Sequence, residues 1–311
     1  MRIQGCCSVA AAALLLTGCD LEGFGNSDRF KEDFHYSYEF KPGGSLSVEN
    51  MNGRVEVSAW DRNTVEISGT KYAASQELLN AMKVDVVVSG SAIRVRTVRP
   101  SGHRGNMGAR YTIRVPARIE LERISSSNGG IRVEGIEGRA RLITSNGEVS
   151  ALRFKGDLEA KTSNSSVTLT DFNGGAVVAT SNGSINADRV VGFFDASTSN
   201  ARIQAHVTAL DPQRPVKLVT SNGPVVLTLD SFKGNEIHAS TSNAGVTLRL
   251  PSSVAAEIRA STSNSSISSD FDVMMKAGEK KSKTRLEGAI GGGGPLIQVS
   301  TSNGPIRIEK M

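Results

Sequence analysis

Residues 144–187 read TSNGEVSALRFKGDLEAKTSNSSVTLTDFNGGAVVATSNGSINA, and the return of Thr-Ser-Asn at Asn146, Asn164 and Asn182 decides the fold. Working outward, the same Asn-centred motif recurs at Asn52, Asn128, Asn200, Asn222, Asn243, Asn264 and Asn303, and nine of the ten copies read Ser/Thr-Ser-Asn. From Asn128 to Asn264 the spacings are 18, 18, 18, 18, 22, 21 and 21 residues. A fixed period near 20 means stacked, near-identical units, each burying its apolar face against its neighbours.

Three residues after each Asn stands a β-branched residue, from Val55 and Ile131 to Ile267 and Ile306. Apolar residues also recur four and six residues before the Asn, as at Leu142 and Ala140 or Leu218 and Val216. Alternation at period two describes strands with one buried face, and helical spacing does not fit. The buried parity slips by one across the Asn, which marks a corner, and a second corner falls at Gly138, Gly156, Gly174 and Gly192. The expected fold is therefore all-β: a single-stranded parallel β-solenoid with coils of ~18–22 residues. In such a stack the ten asparagines form a hydrogen-bonded ladder along the axis. The Thr two residues earlier points inward by parity, and the Ser between them points out.

Hydrophobic residues make up 38% of the 311-residue chain and aromatic ones only 5%, which suits thin coils filled by Val, Ile, Leu and Ala. Residues 1–18 have the form of a secretory signal, with Arg2 followed by the apolar run Val9–Leu16. That run is too short to span a bilayer. Leu16-Thr17-Gly18-Cys19 resembles a bacterial lipobox, which implies cleavage before Cys19 and lipidation of its thiol. Cys6 and Cys7 would leave with the signal, so the mature chain would hold no disulfide.

Residues 19–33 form a polar tether, and 34–311 one elongated domain. Within it, 34–120 supply N-terminal coils and a cap, with a first strand at Phe34–Phe40, a first coil over Leu46–Ile67 and a short flanking helix over 74–82. Residues 121–311 hold the regular repeats and a closing coil. The gap between Asn264 and Asn303 is read either as a degenerate coil or as an excursion from the stack. The final strand, Gly304–Glu309, is expected to leave an exposed edge.

The formal net charge is +5, unevenly spread. No acid occurs between Asp85 and Glu120, where Arg94, Arg96, Arg99 and Arg104 cluster, and a second basic group holds Lys280, Lys281 and Lys283. These residues are candidates for an anionic phospholipid, lipopolysaccharide or wall polymer. Nucleic acid is a poor partner for an exported chain with few interleaved aromatics.

Catalysis has little to stand on. Stacking in register places Asp171 near Arg189, Asp188 opposite His206, Asp157 opposite Gly175 and Asp195 opposite Gln213. The best acid pair is Asp171 with Asp188. The four histidines share no metal-binding spacing, and no cofactor motif occurs.

The segments GGSLSVENMNGRVEVSAWDRNTVEISGT, YTIRVPARIELERISSSNGGIRVEGIEG and RLEGAIGGGGPLIQVSTSNGPIRIEK resemble a bacterial "putative adhesin" β-strand-repeat family over roughly residues 40–310. The resemblance rests on Asn-Gly-x-Val-x-Val corners, the Trp60-Asp61-Arg62 bend and the closing Gly-rich coil. It implies a β-solenoid on envelope proteins and supplies no catalytic residues. The expected role is a non-catalytic, lipid-anchored adhesion or interaction module of the cell envelope, held at the membrane by its lipid and meeting a glycan, an anionic polymer or a protein. The alternatives are an envelope-stress or signalling accessory and, more remotely, a polysaccharide-active enzyme. Ice binding is disfavoured because the repeated Thr points inward.

Overall fold

The computed structural model describes residues 29–41, 43–99, 101–102, 105–211, 214–275 and 282–311. The expected signal (1–18), Cys19, most of the tether, Arg104, Lys280 and Lys281 lie outside these residues. Among the described residues no helix is long and apolar enough to cross a membrane.

The chain is all-β with one short helix. It opens with β1 (Phe30–Glu39), β2 (Ser45–Glu49), β3 (Val55–Trp60) and β4 (Thr64–Ala73), then α1 (Gln76–Ala81). β5 (Lys83–Ser89), β6 (Ala92–Val98), β7 (Met107–Pro116), β8 (Glu120–Ser126) and β9 (Ile131–Glu134) follow. The regular part holds β10 (Ala140–Thr144), β11 (Val149–Lys161), β12 (Val167–Ala179), β13 (Ile185–Ser197) and β14 (Ile203–Leu210). After these come β15 (Val216–Val219), β16 (Val225–Leu229), β17 (Ile237–Ser240), β18 (Val246–Leu250), β19 (Ala256–Thr262) and β20 (Ile267–Ser269). The last strands are β21 (Arg285–Ile290), β22 (Leu296–Thr301) and β23 (Ile306–Lys310).

Two parallel ladders organise nearly all of them. Segments preceding the Asn stack in the order β6-β2-β8-β10-β11-β12-β13-β15-β17-β22-β19. Segments following it stack as β7-β3-β9-β11-β12-β13-β14-β16-β18-β23-β20. This long, mostly parallel sheet is compatible with the coil-per-repeat arrangement expected from the period.

Spatial order departs from sequence order at both ends. β2 and β3 lie inside β6 and β7, and β22 and β23 lie inside β19 and β20. Gly304–Glu309 is therefore not an exposed edge: β23 has β18 on one side and β20 on the other. The gap after Asn264 is an excursion, because β21 turns back antiparallel on β19 before Gly291–Gly294 lead into the inserted coil. The expected coil over Leu46–Ile67 is likewise only β2 and β3. β4 leaves the stack at the Trp60 bend and pairs antiparallel with β7, while β1 pairs antiparallel with β4. At that bend the Trp60 indole donates to Thr64 O at 2.8 Å, and the Arg62 and Arg114 guanidinium carbons lie 5.1 and 5.8 Å from its ring centre.

The core is a set of columns, one residue per coil. Phe154 and Phe172 stack with ring centres 5.6 Å apart, and Val190 and Val207 continue their column. The second corner needs left-handed backbone twice. Gly138, Gly156, Gly174 and Gly192 have φ of 150°, 128°, 140° and 118°. A Cβ on Gly174 would stand 2.1 Å from Gly156 O, so only glycine fits.

At the first corner the asparagine amides form one unbroken chain of hydrogen bonds. Each Nδ2 donates to the Oδ1 of its neighbour nearer the N-terminal end, at 2.6–2.8 Å, from Asn128 to Asn52 through to Asn303 to Asn243 and Asn264 to Asn303. Asn52 Nδ2 ends the chain on Met107 O at 2.7 Å. Behind the ladder the Thr hydroxyls are buried and donate to carbonyls of the adjacent coil, as Thr162 does to Gly147 at 2.9 Å. Where Gly follows the Asn in the Ser/Thr-Ser-Asn copies, its N–H also donates to that hydroxyl, as from Gly147 to Thr144 at 3.2 Å. The corners with Ser165, Ala201, Ala244 or Ser265 lack this bond, which is how the four non-glycine corners differ.

Candidate functional site

With the corners and columns spent on holding the stack together, function falls to the outward face. Each inner ladder asparagine spends one amide N–H and one carbonyl lone pair on its neighbours, which leaves the second of each on the exposed face.

Arg94 and Arg96 project outward from β6, an alternation set by buried Ile93 and Val95. Arg94 pairs in register with Ser47, and Ser47 pairs on its other side with Arg123 of β8. Arg96 Nε lies 3.7 Å from Glu49, an exposed pair worth little. Arg96, Arg99, Arg123 and Glu49 line a concavity of about 460 Å³. Arg123 escaped sequence reading because it lies outside the acid-free stretch and reaches the cluster only through parallel pairing of β2 with β8. Lys283 is elsewhere, beside the opposite end, where its carbonyl accepts from Ile267 N at 2.9 Å. Ten steps separate β6 from β19 in the ladder, so at roughly 4.8 Å per step Lys283 stands on the order of 50 Å from Arg94 and Arg96 and cannot share a site with them.

The acid pair fares differently. Asp171 accepts from Arg189 Nε at 2.6 Å, and the same guanidinium also bonds Asp188. The hydrogen bond from Arg189 holds the Asp171 carboxyl below the usual range. Asp188 in turn meets His206 Nδ1 at 3.0 Å, and His206 Nε2 meets Asp230 at 2.9 Å. Hydrogen bonds to Asp230 and then Asp188 raise the His206 pKa, favouring an imidazolium that donates from both nitrogens. With one guanidinium bonded to both carboxylates, this ridge is charge pairing along a corner. Arg153, Asp171 and Arg189 carry that corner at φ of 50°, 54° and 53°, and such left-handed residues cost about 1–2 kcal/mol each. The bond from Arg153 to Glu134 belongs to the same ridge. Among the described residues no group of three His, Cys, Asp or Glu could hold a metal.

Asp157 does pair with Gly175, but Asp195 pairs with Lys217, not with Gln213, which is outside the described residues. The 22-residue step between Asn200 and Asn222 adds its extra residues before β15 and shifts the register. The added loop carries Arg214, whose guanidinium carbon stacks 3.7 Å above the Phe193 ring. Together with Asp157, Gly175 and Val177 these residues line a second concavity of about 320 Å³. Sequence reading missed it because Arg214 is brought there by a loop insertion with no counterpart in the regular repeats.

No family model matches the chain, and no curated protein matches its sequence. Solved structures do align over most of its length. A "putative cell adhesion protein" from Clostridium sporogenes is 12% identical, covering 91% of this chain and all of that one, with a TM-score of 0.24. A "putative adhesin" from Bacteroides fragilis is 11% identical over 90% and 97% of the two chains, with a TM-score of 0.30. A "putative lipid binding protein" from Parabacteroides distasonis is 12% identical over 89% and 96%, with a TM-score of 0.37. Scores this low carry no argument about fold or role.

Proposed function

We propose that this protein is a lipid-anchored β-solenoid of a bacterial envelope that acts by binding, without catalysis, and that its N-terminal end meets an anionic surface. One observation carries this reading: Arg96, Arg99 and Arg123 converge on one concavity, with Arg94 beside them, at the end of the stack where the chain enters it. β1 begins at Phe30, close after the Cys19 expected to carry lipid. A lipid there would hold this basic end against the headgroups, where each cation near an anionic surface contributes about 1 kcal/mol. The bridging of Asp171 and Asp188 by Arg189 supports binding over polysaccharide cleavage, because a hydrolase needs one of its two acids protonated.

The test uses the full chain with Cys19→Ser, so that no acyl chain can hold it. Cosedimentation with phosphatidylglycerol-containing vesicles should be salt-sensitive, absent with pure phosphatidylcholine, and lost on changing Arg94, Arg96 and Arg123 to Ser. Binding that ignores both salt and these changes would sink the basic-end reading. Labelled palmitate should enter the parent chain in a bacterial host and not Cys19→Ser, and no incorporation into the parent would refute the anchor.

A further inference from the structure

The concavity beneath Arg214 is independent of the basic end, and its chemistry is different. Gly175 stands in register between Asp157 on β11 and Phe193 on β13. Its φ is not in the left-handed region, so neither corner geometry nor backbone strain calls for glycine here. A Cβ would stand 2.8 Å from Asp157 Oδ1, 3.3 Å from Arg214 Nη1 and 3.8 Å from Phe193 Cδ1. Missing that side chain, the strand has a notch with a carboxylate on one side and a guanidinium on the other.

Both groups are available to a ligand. Among the described residues neither the Asp157 carboxylate nor the Arg214 guanidinium has a hydrogen bond or an ion pair. Arg214 is nonetheless fixed, because it lies flat on Phe193, an outward-facing ring only 9% exposed. A stacked guanidinium loses little entropy on binding and presents its N–H fork in a set direction. Val177, 41% exposed, supplies an apolar patch beside it.

We propose that this notch binds a neutral sugar unit of a glycan. Vicinal hydroxyls can accept from the Arg214 fork and donate to Asp157, while the C–H face of the ring lies against Val177. The charge balance argues against a charged ligand. Four carboxylates and three guanidinium groups line the concavity, so an anion meets Asp157 and Glu159 and a cation meets Arg139 and Arg214. A volume of about 320 Å³ is at the low end for a small-molecule site, in keeping with one or two sugar units.

The experiment presents cellotetraose, maltotetraose, mannotetraose and galactotetraose to the purified full chain in detergent, beside Gly175→Val, Asp157→Ala and Arg123→Ser. Valine suits a strand and fills the notch, so Gly175→Val should keep its melting temperature, which guards against misfolding as a trivial cause. At least one sugar should be retained, insensitive to salt, with affinity falling about tenfold or more in Gly175→Val and Asp157→Ala, the loss expected for one hydrogen bond to a charged group. Arg123→Ser should bind as the parent does, which keeps this test separate from that of the basic end. Retention of none of the four sugars overturns the proposal, as does binding undiminished by Gly175→Val or binding lost in Arg123→Ser.

Discussion

The two ends of the stack solve the same problem with unequal means. Each must close a parallel sheet whose last strand would otherwise present unpaired N–H and C=O groups. Each does so by turning a strand back: β4 on β7 and β5 on β6 at the N-terminal end, β21 on β19 at the other. The N-terminal end then adds a second small core. Helix α1, capped by the Ser75 hydroxyl, seats Leu78 and Leu79 among Ala73, Met82 and Met107. A buried polar plug completes it: Thr97 Oγ1 lies 2.6 Å from Tyr111 Oη and donates to Asn50 Oδ1 at 2.9 Å. Burial pushes the Tyr111 phenol up to about 12, so it stays protonated. Among the described residues the C-terminal end has no such core. Ile267, Phe271, Val273 and Leu286 are only partly buried, and β20 is three residues long. A thin, partly exposed apolar layer closes an edge, whereas a separate buried core behind the cap also stabilises it.

Native-state hydrogen exchange should therefore show β19 and β21 opening at lower free energy than β4 and β7, and the reverse order would overturn the comparison. The largest mutational effect is expected from Ile297→Ala in the inserted β22, about 2–5 kcal/mol by chemical denaturation, with β19 to β21 losing protection together. Gly291→Ala comes next. At φ of 60° its Cβ would stand 2.4 Å from Val254 O, so a loss of about 1–3 kcal/mol, confined to the C-terminal end, is expected. Tyr111→Phe should cost about 1 kcal/mol and speed exchange only at the N-terminal end. The smallest effect lies between the ends, at His206. Its folded pKa is raised above the unfolded value, so the Asp188–His206–Asp230 contact contributes fully below about pH 6.5. That contribution is lost as pH rises through the raised value, and melting curves of His206→Gln should lack this slope.

Much of the middle was legible from the Asn spacing. The 18-residue steps give the strands, both corners and the amide ladder, because in that stretch neighbours in sequence are neighbours in space. Legibility fails where this condition fails. Asn264 and Asn303 carry the same motif as the rest, and nothing local to either says that Asn303 sits between Asn243 and Asn264. The basic cluster was half legible: Arg94 and Arg96 come from one strand, but Arg123 joins through pairing and Lys283 is at the far end. The notch depends on an absent side chain and an inserted loop, and no periodicity announces either.

The inserted position of β22 and β23 also bears on the order of assembly. A chain that crosses a membrane or leaves the ribosome N-terminus first delivers 256–269 well before 296–310. The earlier segment has no place on the growing stack until the later one has docked on β17 and β18. Vectorial growth therefore runs coil by coil as far as β18 and then pauses, and two coils close it in reverse order. A chain stopped short of Leu296 would lose more than its missing residues: it would leave the β17–β18 edge open and 256–269 without a seat.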